Sequence, residues 1–165
     1  MEPLTRPRML GSYVLGRRIG AGGMAIVFAA LQRGPRGVSR LVALKSLSTA
    51  LAADSSFLEM FVREARLATR LEHPNIVRTY EVGEEDGVPH IVMEYVHGAS
   101  LVKLMKASSE PVPLPIALRV GNDVARGLHA AHELCDLEGT PLGLVHQDVS
   151  PQNVLLSWDG EVKVI

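Results

Sequence analysis

The sequence predicts an α+β fold in two parts: a β-rich part with one helix, followed by a helical part. Short apolar runs bounded by glycine, proline and aspartate fill the first half, as is typical of strands. Beyond residue 96 the longest apolar pattern repeats every three to four residues, as in an amphipathic helix. We therefore assign residues 1–12 to a leader, 13–96 to a first lobe with its connector, and 97–165 to a second lobe.

The first lobe is predicted to consist mainly of strands. We place them at residues 13–19, 26–30, 40–47, 76–82 and 90–96. The glycine run between the first two strands favours a hairpin. A helix follows the third strand, because apolar residues recur there on one helical face: Phe57, Phe61, Ala65 and Ala68. Pro74 ends that helix.

The second lobe is predicted to be mainly helical. A short helix spans residues 100–106, and Pro115 suits the first turn of a longer helix. One face of the longer helix is apolar at Ile116, Val120, Val124, Leu128 and Ala131. Two short strands, at residues 154–156 and 162–165, follow with Asp159-Gly160 as their turn.

The composition indicates a soluble cytoplasmic protein. Seventeen Lys and Arg against 18 Asp and Glu give a net charge of −1, so bulk charge gives no support for a nucleic-acid partner. The one cysteine, Cys135, cannot form an internal disulfide, which fits a reducing compartment. No apolar run approaches the roughly 18 residues of a membrane span, so we expect no membrane segment in this chain.

Three segments carry residues suited to phosphate chemistry, and the first is the glycine run Gly20–Gly23. Its backbone N–H groups can approach a phosphate with no Cβ in the way, although a plain hairpin turn also favours glycine. In the second segment Lys45 ends an apolar strand, where it can contact phosphates or extend into water. Glu64 lies on the apolar face of the helix or at its edge, so it needs a cation, and Lys45 is the nearest candidate.

The third segment is the polar loop at residues 146–153, in which Asp148 and Asn153 stand five positions apart. A carboxylate and an amide at this spacing can accept a proton and hold a metal ion. The same residues also suit an Asx-rich turn. The loop taken by itself leaves both interpretations open.

In their order along the chain these segments resemble the signature set of protein kinases. The matching segments are the glycine-rich loop at 19–27 (IGAGGMAIV), the lysine strand at 42–45 (VALK), the partner glutamate Glu64, the segments at 73–77 (HPNIV) and 91–98 (IVMEYVHG), and the catalytic loop at 146–153 (HQDVSPQN). The form of the catalytic loop is similar to that of bacterial eukaryotic-like Ser/Thr kinases.

The resemblance implies a two-lobe kinase fold that transfers phosphate from ATP, with Mg²⁺, to serine or threonine of a protein substrate. The loop that would cover the phosphates comprises Ile19, Gly20, Ala21, Gly22, Gly23, Met24, Ala25, Ile26 and Val27. The residues implied around the adenine are Val27, Ala43 and Leu155 on its faces, Met93 behind it, and Glu94, Tyr95 and Val96 at the hinge.

Five residues are implied at the reacting end of the nucleotide. Lys45, held by Glu64, would contact the α- and β-phosphates. Asp148 would accept the proton of the substrate hydroxyl, and Asn153 would bind Mg²⁺. Ser150 stands where Ser/Thr kinases usually have lysine, so it can hydrogen-bond a phosphate or Asp148 but brings no positive charge.

The chain departs from the family pattern at other places as well. Ala25 replaces the third glycine, and Gln147 replaces the arginine that contacts a phosphorylated activation loop. After Ile165 a kinase would continue with Asp-Phe-Gly, whose aspartate is the principal Mg²⁺ ligand. We therefore expect a fragment, whose second lobe is covered by a missing C-terminal segment or by a partner. The alternatives are a nucleotide-binding pseudokinase or regulatory fragment, and an unstable remnant without function.

Overall fold

The chain divides into two compact units. The computed structural model describes residues 8–22, 25–48, 55–85 and 87–165. Gly23 and Met24 of the predicted phosphate loop lie outside the described residues. The first unit takes the described residues up to Arg70 together with Thr79–Tyr95, and the second takes Leu71–Arg78 together with Val96–Ile165.

A six-stranded antiparallel sheet makes up most of the first unit. Its strands are β1 (Arg8–Leu10), β2 (Tyr13–Ala21), β3 (Ala25–Arg33), β4 (Ser39–Leu47), β5 (Thr79–Glu85) and β6 (Val88–Glu94). They lie in the order β1-β2-β3-β4-β6-β5, each antiparallel to its neighbours. The predicted hairpin between the first two strands is confirmed, because β2 and β3 pair as far as Ala21 and Ile26.

Successive side chains of β4 point to opposite faces of this sheet. Val42, Leu44 and the neighbouring Val92 on β6 are each 0% exposed, and they form one apolar cluster with Tyr13 and Ala30. Full burial of an aliphatic side chain of this size stabilises the fold by about 1.5–3 kcal/mol. A slip of β4 by one residue would turn Val42 and Leu44 away from this cluster, so the cluster specifies the register of β4.

The helix α1 (Ser55–Ala68) lies against β5 and β6. Phe61 and Ala65 on it are buried, while Phe57 and Ala68 are half-buried. The apolar face predicted from the spacing of these four residues is therefore confirmed.

The second unit combines two helices with a small sheet. Its elements are β7 (Gly98–Ser100), α2 (Leu101–Ala107), α3 (Leu114–His132), β8 (Val154–Ser157) and β9 (Val162–Val164). The sheet has the order β7-β8-β9, and Val120 of α3 packs with Val154 and Val162 to form its core. The predicted apolar face of α3 is covered only in part, since Ile116 remains 50% exposed.

The segment at residues 71–78 belongs with the second unit, although the sequence analysis placed it in the first lobe. The Val77 amide donates to the Val164 carbonyl at 2.8 Å, and the Val164 amide donates to the Asn75 carbonyl at 2.9 Å. The buried Asn75 side chain also donates from Nδ2 to the Val162 carbonyl at 2.9 Å. These bonds add the segment to β9, so the strand predicted from residue 76 begins only at Thr79.

The ends of several other elements differ from the prediction. Strand β1 lies within the predicted leader, because Arg8–Leu10 pairs with β2. Strand β3 extends to Arg33, beyond its predicted end at residue 30, and a 3₁₀ turn at Pro35–Gly37 follows it. Within the described part of the chain, no helix is both long and apolar enough to cross a membrane.

Candidate functional site

One face of the six-stranded sheet carries four of the residues predicted to contact the nucleotide. Val27, Lys45 and Ile91 lie directly opposite one another on β3, β4 and β6. Ala29, Ala43 and Met93 form the next such row, two residues along each strand. Residues opposite one another in an antiparallel sheet share a face, and so do residues two apart on one strand. The sheet therefore brings Val27, Ala43, Lys45 and Met93 onto one surface.

The described residues of the glycine-rich loop, 19–22 and 25–27, lie at the facing ends of β2 and β3. Gly20 lies opposite Val27, and the Gly22 amide donates to the Ala25 carbonyl at 2.9 Å. A Cβ added at Gly20 would make only ordinary contacts with Val27, and one added at Gly22 would meet nothing within 4 Å. Neither glycine has a positive φ. Packing in the described structure therefore does not require glycine at these two positions.

The predicted ion pair between Lys45 and Glu64 does not form among the described residues. Glu64 is exposed, and among the described residues neither it nor Lys45 has an ion-pair partner. The Lys45 ammonium instead lies 5.9 Å from the centroid of the Phe61 ring. The buried line of α1 runs through Phe61 and Ala65, and the adjacent Glu64 is turned about 100° from Ala65, towards solvent.

The predicted hinge residues follow directly after β6. Glu94 ends that strand, and the first unit ends at Tyr95. Val96 is the first residue of the longer segment of the second unit, and all three residues are half-buried. Leu155 lies on β8, opposite Ser100 on one side and Lys163 on the other. Its predicted contact with adenine stays a prediction.

Asp148 and Asn153 come together in the loop at residues 146–153. The Asn153 amide nitrogen Nδ2 lies 2.7 Å from Asp148 Oδ2 and 2.9 Å from the Asp148 carbonyl oxygen. Both residues lie outside helices and strands, and Asp148 is exposed. Because Nδ2 donates to Asp148, the carbonyl oxygen Oδ1 of Asn153 is left as an acceptor. A carboxylate is thus held next to an amide oxygen at the surface of the second unit.

His146 braces this loop, although the sequence analysis assigned it no role of its own. The Asp148 amide donates to His146 Nδ1 at 3.3 Å. His146 Nε2 lies 2.7 Å from the Ile165 carbonyl oxygen and therefore donates to it. The Ile165 amide donates back to the Asn153 carbonyl at 3.0 Å. A sequence cannot show this brace, because its two ends are 19 residues apart.

Two further residues of this loop have an unusual backbone conformation or an unpartnered polar atom. Gln147 has φ of 65°, the left-handed conformation that non-glycine residues seldom adopt. Ser150 Oγ is buried and has no hydrogen-bond partner within the described part of the chain. Neither feature could be predicted from the sequence, because both depend on how the backbone passes through the loop.

The residues of this loop suit a divalent cation that is bound partly by the protein and partly by a phosphate group. No group of three or more His, Cys, Asp or Glu residues is placed to hold a metal within the described ranges. Mg²⁺ in phosphate-handling sites is held by one or two protein oxygens, with water and phosphate completing its shell. Asn153 Oδ1 and the Asp148 carboxylate are oxygens of that type.

Comparison with known proteins gives the family. The sequence profile of the protein kinase domain matches residues 13–165. The chain belongs to the protein kinase family. It is 45% identical, over its whole length, to the tyrosine-protein kinase MasK of Myxococcus xanthus, and it covers 26% of that protein. It is 38% identical to the serine/threonine-protein kinase PrkC of Bacillus subtilis, with 95% of this chain and 22% of that protein aligned.

Solved structures confirm the kinase-like fold. The kinase domain of Mycobacterium tuberculosis PknI matches with a TM-score of 0.76 and 32% identity, covering 98% of this chain and 61% of that domain. The chain thus spans about a quarter of the length of these curated relatives and about three fifths of the kinase domain. Protein kinases as a class use ATP and a divalent metal ion to phosphorylate proteins.

Proposed function

We propose that this protein is an ATP-dependent kinase that phosphorylates serine and threonine residues of proteins. The observation that supports this most is the loop in which Asn153 holds the exposed carboxylate of Asp148 at 2.7 Å. In a chain of the protein kinase family, that geometry suits an aspartate that receives a proton beside an asparagine that binds a metal ion.

In the proposed reaction the oxygen of a substrate hydroxyl attacks the γ-phosphorus of ATP. The bond from that phosphorus to the β–γ bridging oxygen breaks, and ADP leaves with the electron pair. The hydroxyl proton passes to the Asp148 carboxylate. Asn153 fixes the orientation of this carboxylate through Oδ2, and His146 fixes the backbone amide of the same residue. Most of the rate enhancement comes from such positioning.

The surface that carries Val27, Ala43, Lys45 and Met93 is proposed to bind the nucleotide. Lys45 contacts the α- and β-phosphates, and the apolar side chains contact the adenine, as do Leu155 and the hinge residues 94–96. The glycines at 20 and 22 support close approach of the phosphates, because packing in the structure does not require them. Use of ATP and the single cysteine favour a cytoplasmic location.

Asn153 Oδ1 is proposed to be a ligand of Mg²⁺, with Asp148 nearby. The ion would neutralise charge on the phosphates during transfer. Ser150, whose Oγ has no partner among the described residues, would donate a hydrogen bond to phosphate or to Asp148.

Tyrosine is the second candidate acceptor. The relative with 45% identity is named a tyrosine-protein kinase, whereas other relatives at 35–40% identity are named serine/threonine-protein kinases. Ser150 stands in place of the usual lysine and brings no positive charge to this loop.

A catalytically inactive nucleotide-binding protein is the alternative from another functional class. Gln147, Ser150 and the exposed Glu64 favour it. The two functions differ in whether γ-phosphate leaves the nucleotide.

The test is transfer of ³²P from γ-labelled ATP by the protein as its native cell produces it. The acceptors are the protein itself and a mixture of basic proteins, and the labelled residues are identified after acid hydrolysis. We expect Mg²⁺-dependent phosphoserine and phosphothreonine, lost in Asp148→Asn.

Asp159→Asn is the matched control, because Asp159 is an exposed aspartate in the turn between β8 and β9. It should leave transfer unchanged. Phosphotyrosine alone would support the second acceptor instead. Transfer that persists in Asp148→Asn would remove Asp148 from the mechanism, and ATP binding without any transfer would support the inactive alternative.

A further inference from the structure

The Lys45 ammonium has an aromatic neighbour where a carboxylate was predicted. Its Nζ atom lies 5.9 Å from the centroid of the Phe61 ring, inside the range of a cation–π interaction. Phe61 is 7% exposed, so the ring is fixed by the packing around it. Glu64, one turn further along α1, is exposed.

The backbone explains why the ring faces the lysine. Lys45 occupies the sheet surface that also carries Ala43, while Val42 and Leu44 turn to the opposite face. Helix α1 lies against β5 and β6, with Phe61 and Ala65 as its buried line. The ring of Phe61 therefore stands beside the strand from which Lys45 projects.

We infer that Phe61 is a positioning residue for Lys45. A free lysine side chain loses rotamer entropy when a ligand immobilises it. The negative face of a ring attracts the ammonium without neutralising its charge. Phe61 thus restricts Lys45 before phosphate arrives and leaves its positive charge for the phosphate. The binding of phosphate by Lys45 rests on the proposed function. The contact between Lys45 and Phe61 is observed in the structure and does not depend on that function.

Nuclear magnetic resonance tests the contact directly. The chain has four lysines, at positions 45, 103, 106 and 163, so ¹³C-labelled lysine gives a spectrum simple enough to assign. We expect the Lys45 ε-protons upfield of the other three and cross-relaxing with the Phe61 ring. Phe61→Leu should move them to the ordinary lysine position, and Phe61→Tyr should keep them upfield.

Phe57→Leu is the matched control, since Phe57 lies one turn earlier on α1 and is half-buried. It should leave the Lys45 signal in place. If Phe61→Leu does not fold, the spectra of the wild-type protein and of Phe61→Tyr still show whether Lys45 contacts the aromatic ring. Lys45 ε-protons at the ordinary position in the wild-type protein, or unmoved in a folded Phe61→Leu, would overturn the inference.

Nucleotide affinity gives the second readout. A cation–π contact at a partly exposed site changes binding by about two- to fivefold, so Phe61→Leu should weaken ATP binding by that factor and Phe61→Tyr should restore it. Equal affinity in Phe61→Leu and the wild type would overturn the positioning role. A chain that shows the upfield Lys45 signal but binds no ATP would instead refute the proposed function.

Discussion

Gly127 in α3 is a position where one methyl group should destabilise the second unit. A Cβ at this residue would lie 2.7 Å from the backbone oxygen of Asn75 and 3.3 Å from its carbonyl carbon. Ordinary contacts begin near 3.4 Å. The Asn75 oxygen cannot move freely, because it accepts the Val164 amide at 2.9 Å. Gly127→Ala must therefore push α3 away from the segment at 71–78 or stretch that bond.

The size of the effect follows from two opposing contributions. Alanine favours the helix over glycine by about 1 kcal/mol, and overpacking of this kind costs about 1–3 kcal/mol. Gly121 lies on the same helix with nothing within 4 Å of an added Cβ, so Gly121→Ala has the gain without the cost. We expect Gly121→Ala to raise the free energy of unfolding by about 1 kcal/mol. The free energy of unfolding of Gly127→Ala should be lower than that of Gly121→Ala by about 1–3 kcal/mol.

Urea unfolding followed by circular dichroism at 222 nm measures the difference. The two variants should have equal slopes against urea, so their midpoints compare stabilities directly. Equal midpoints for Gly121→Ala and Gly127→Ala would refute the close approach of α3 to Asn75.

Burial and the hydrogen bond to Glu81 raise the pKa of the Tyr13 hydroxyl well above its usual value. The folded protein therefore keeps a proton that the unfolded chain releases above about pH 10, so the stability of the fold should decrease as the pH rises there. In Tyr13→Phe the decrease in stability between pH 9 and 11 should be smaller, and urea midpoints measured across this range would show the difference. The Arg119 guanidinium, 2.5 Å away, lowers the pKa of Asp123, so this carboxylate stabilises the fold above its unfolded pKa of about 3.9 and loses that effect in acid. Arg119→Gln should raise the midpoint pH of acid unfolding, and an unchanged midpoint would contradict this. Gln147→Val should cost about 1–2 kcal/mol, because left-handed backbone is strained for a branched residue, whereas Gln147→Gly should not; equal thermal midpoints for the two variants would rule out the strained backbone.

Local patterns in the sequence predicted the elements that depend on neighbouring residues. The β2–β3 hairpin is encoded by apolar runs around a glycine turn, and the buried face of α1 follows from the spacing of Phe57, Phe61 and Ala65. These features depend on contacts within one hairpin or one helix. The local sequence therefore contains all of the information that is needed to predict them.

Contacts between distant parts of the chain were not predictable in the same way. Ile76 and Val77 look like the start of a strand, but their partner is Val164, and only the folded chain shows that pairing. Helical spacing places Glu64 at the edge of the apolar face and cannot decide on which side of that edge it falls. The brace from His146 to Ile165 likewise needs the loop conformation.

The loop at residues 146–153 was predictable in part. The residue types and spacing of Asp148 and Asn153 suggested a common site, and the structure brings their side chains to 2.7 Å. The roles of the two residues in phosphoryl transfer remain predictions.

Titration of this chain with ATP, by calorimetry, tests the proposed nucleotide site most directly. We predict binding that is tighter with MgCl₂ than with EDTA, weakened in Lys45→Met, and without the Mg²⁺ dependence in Asn153→Leu. Lys103→Met is the control, because Lys103 is an exposed lysine on α2. Absence of binding, or equal binding by Lys45→Met and Lys103→Met, would contradict the nucleotide site proposed for this protein.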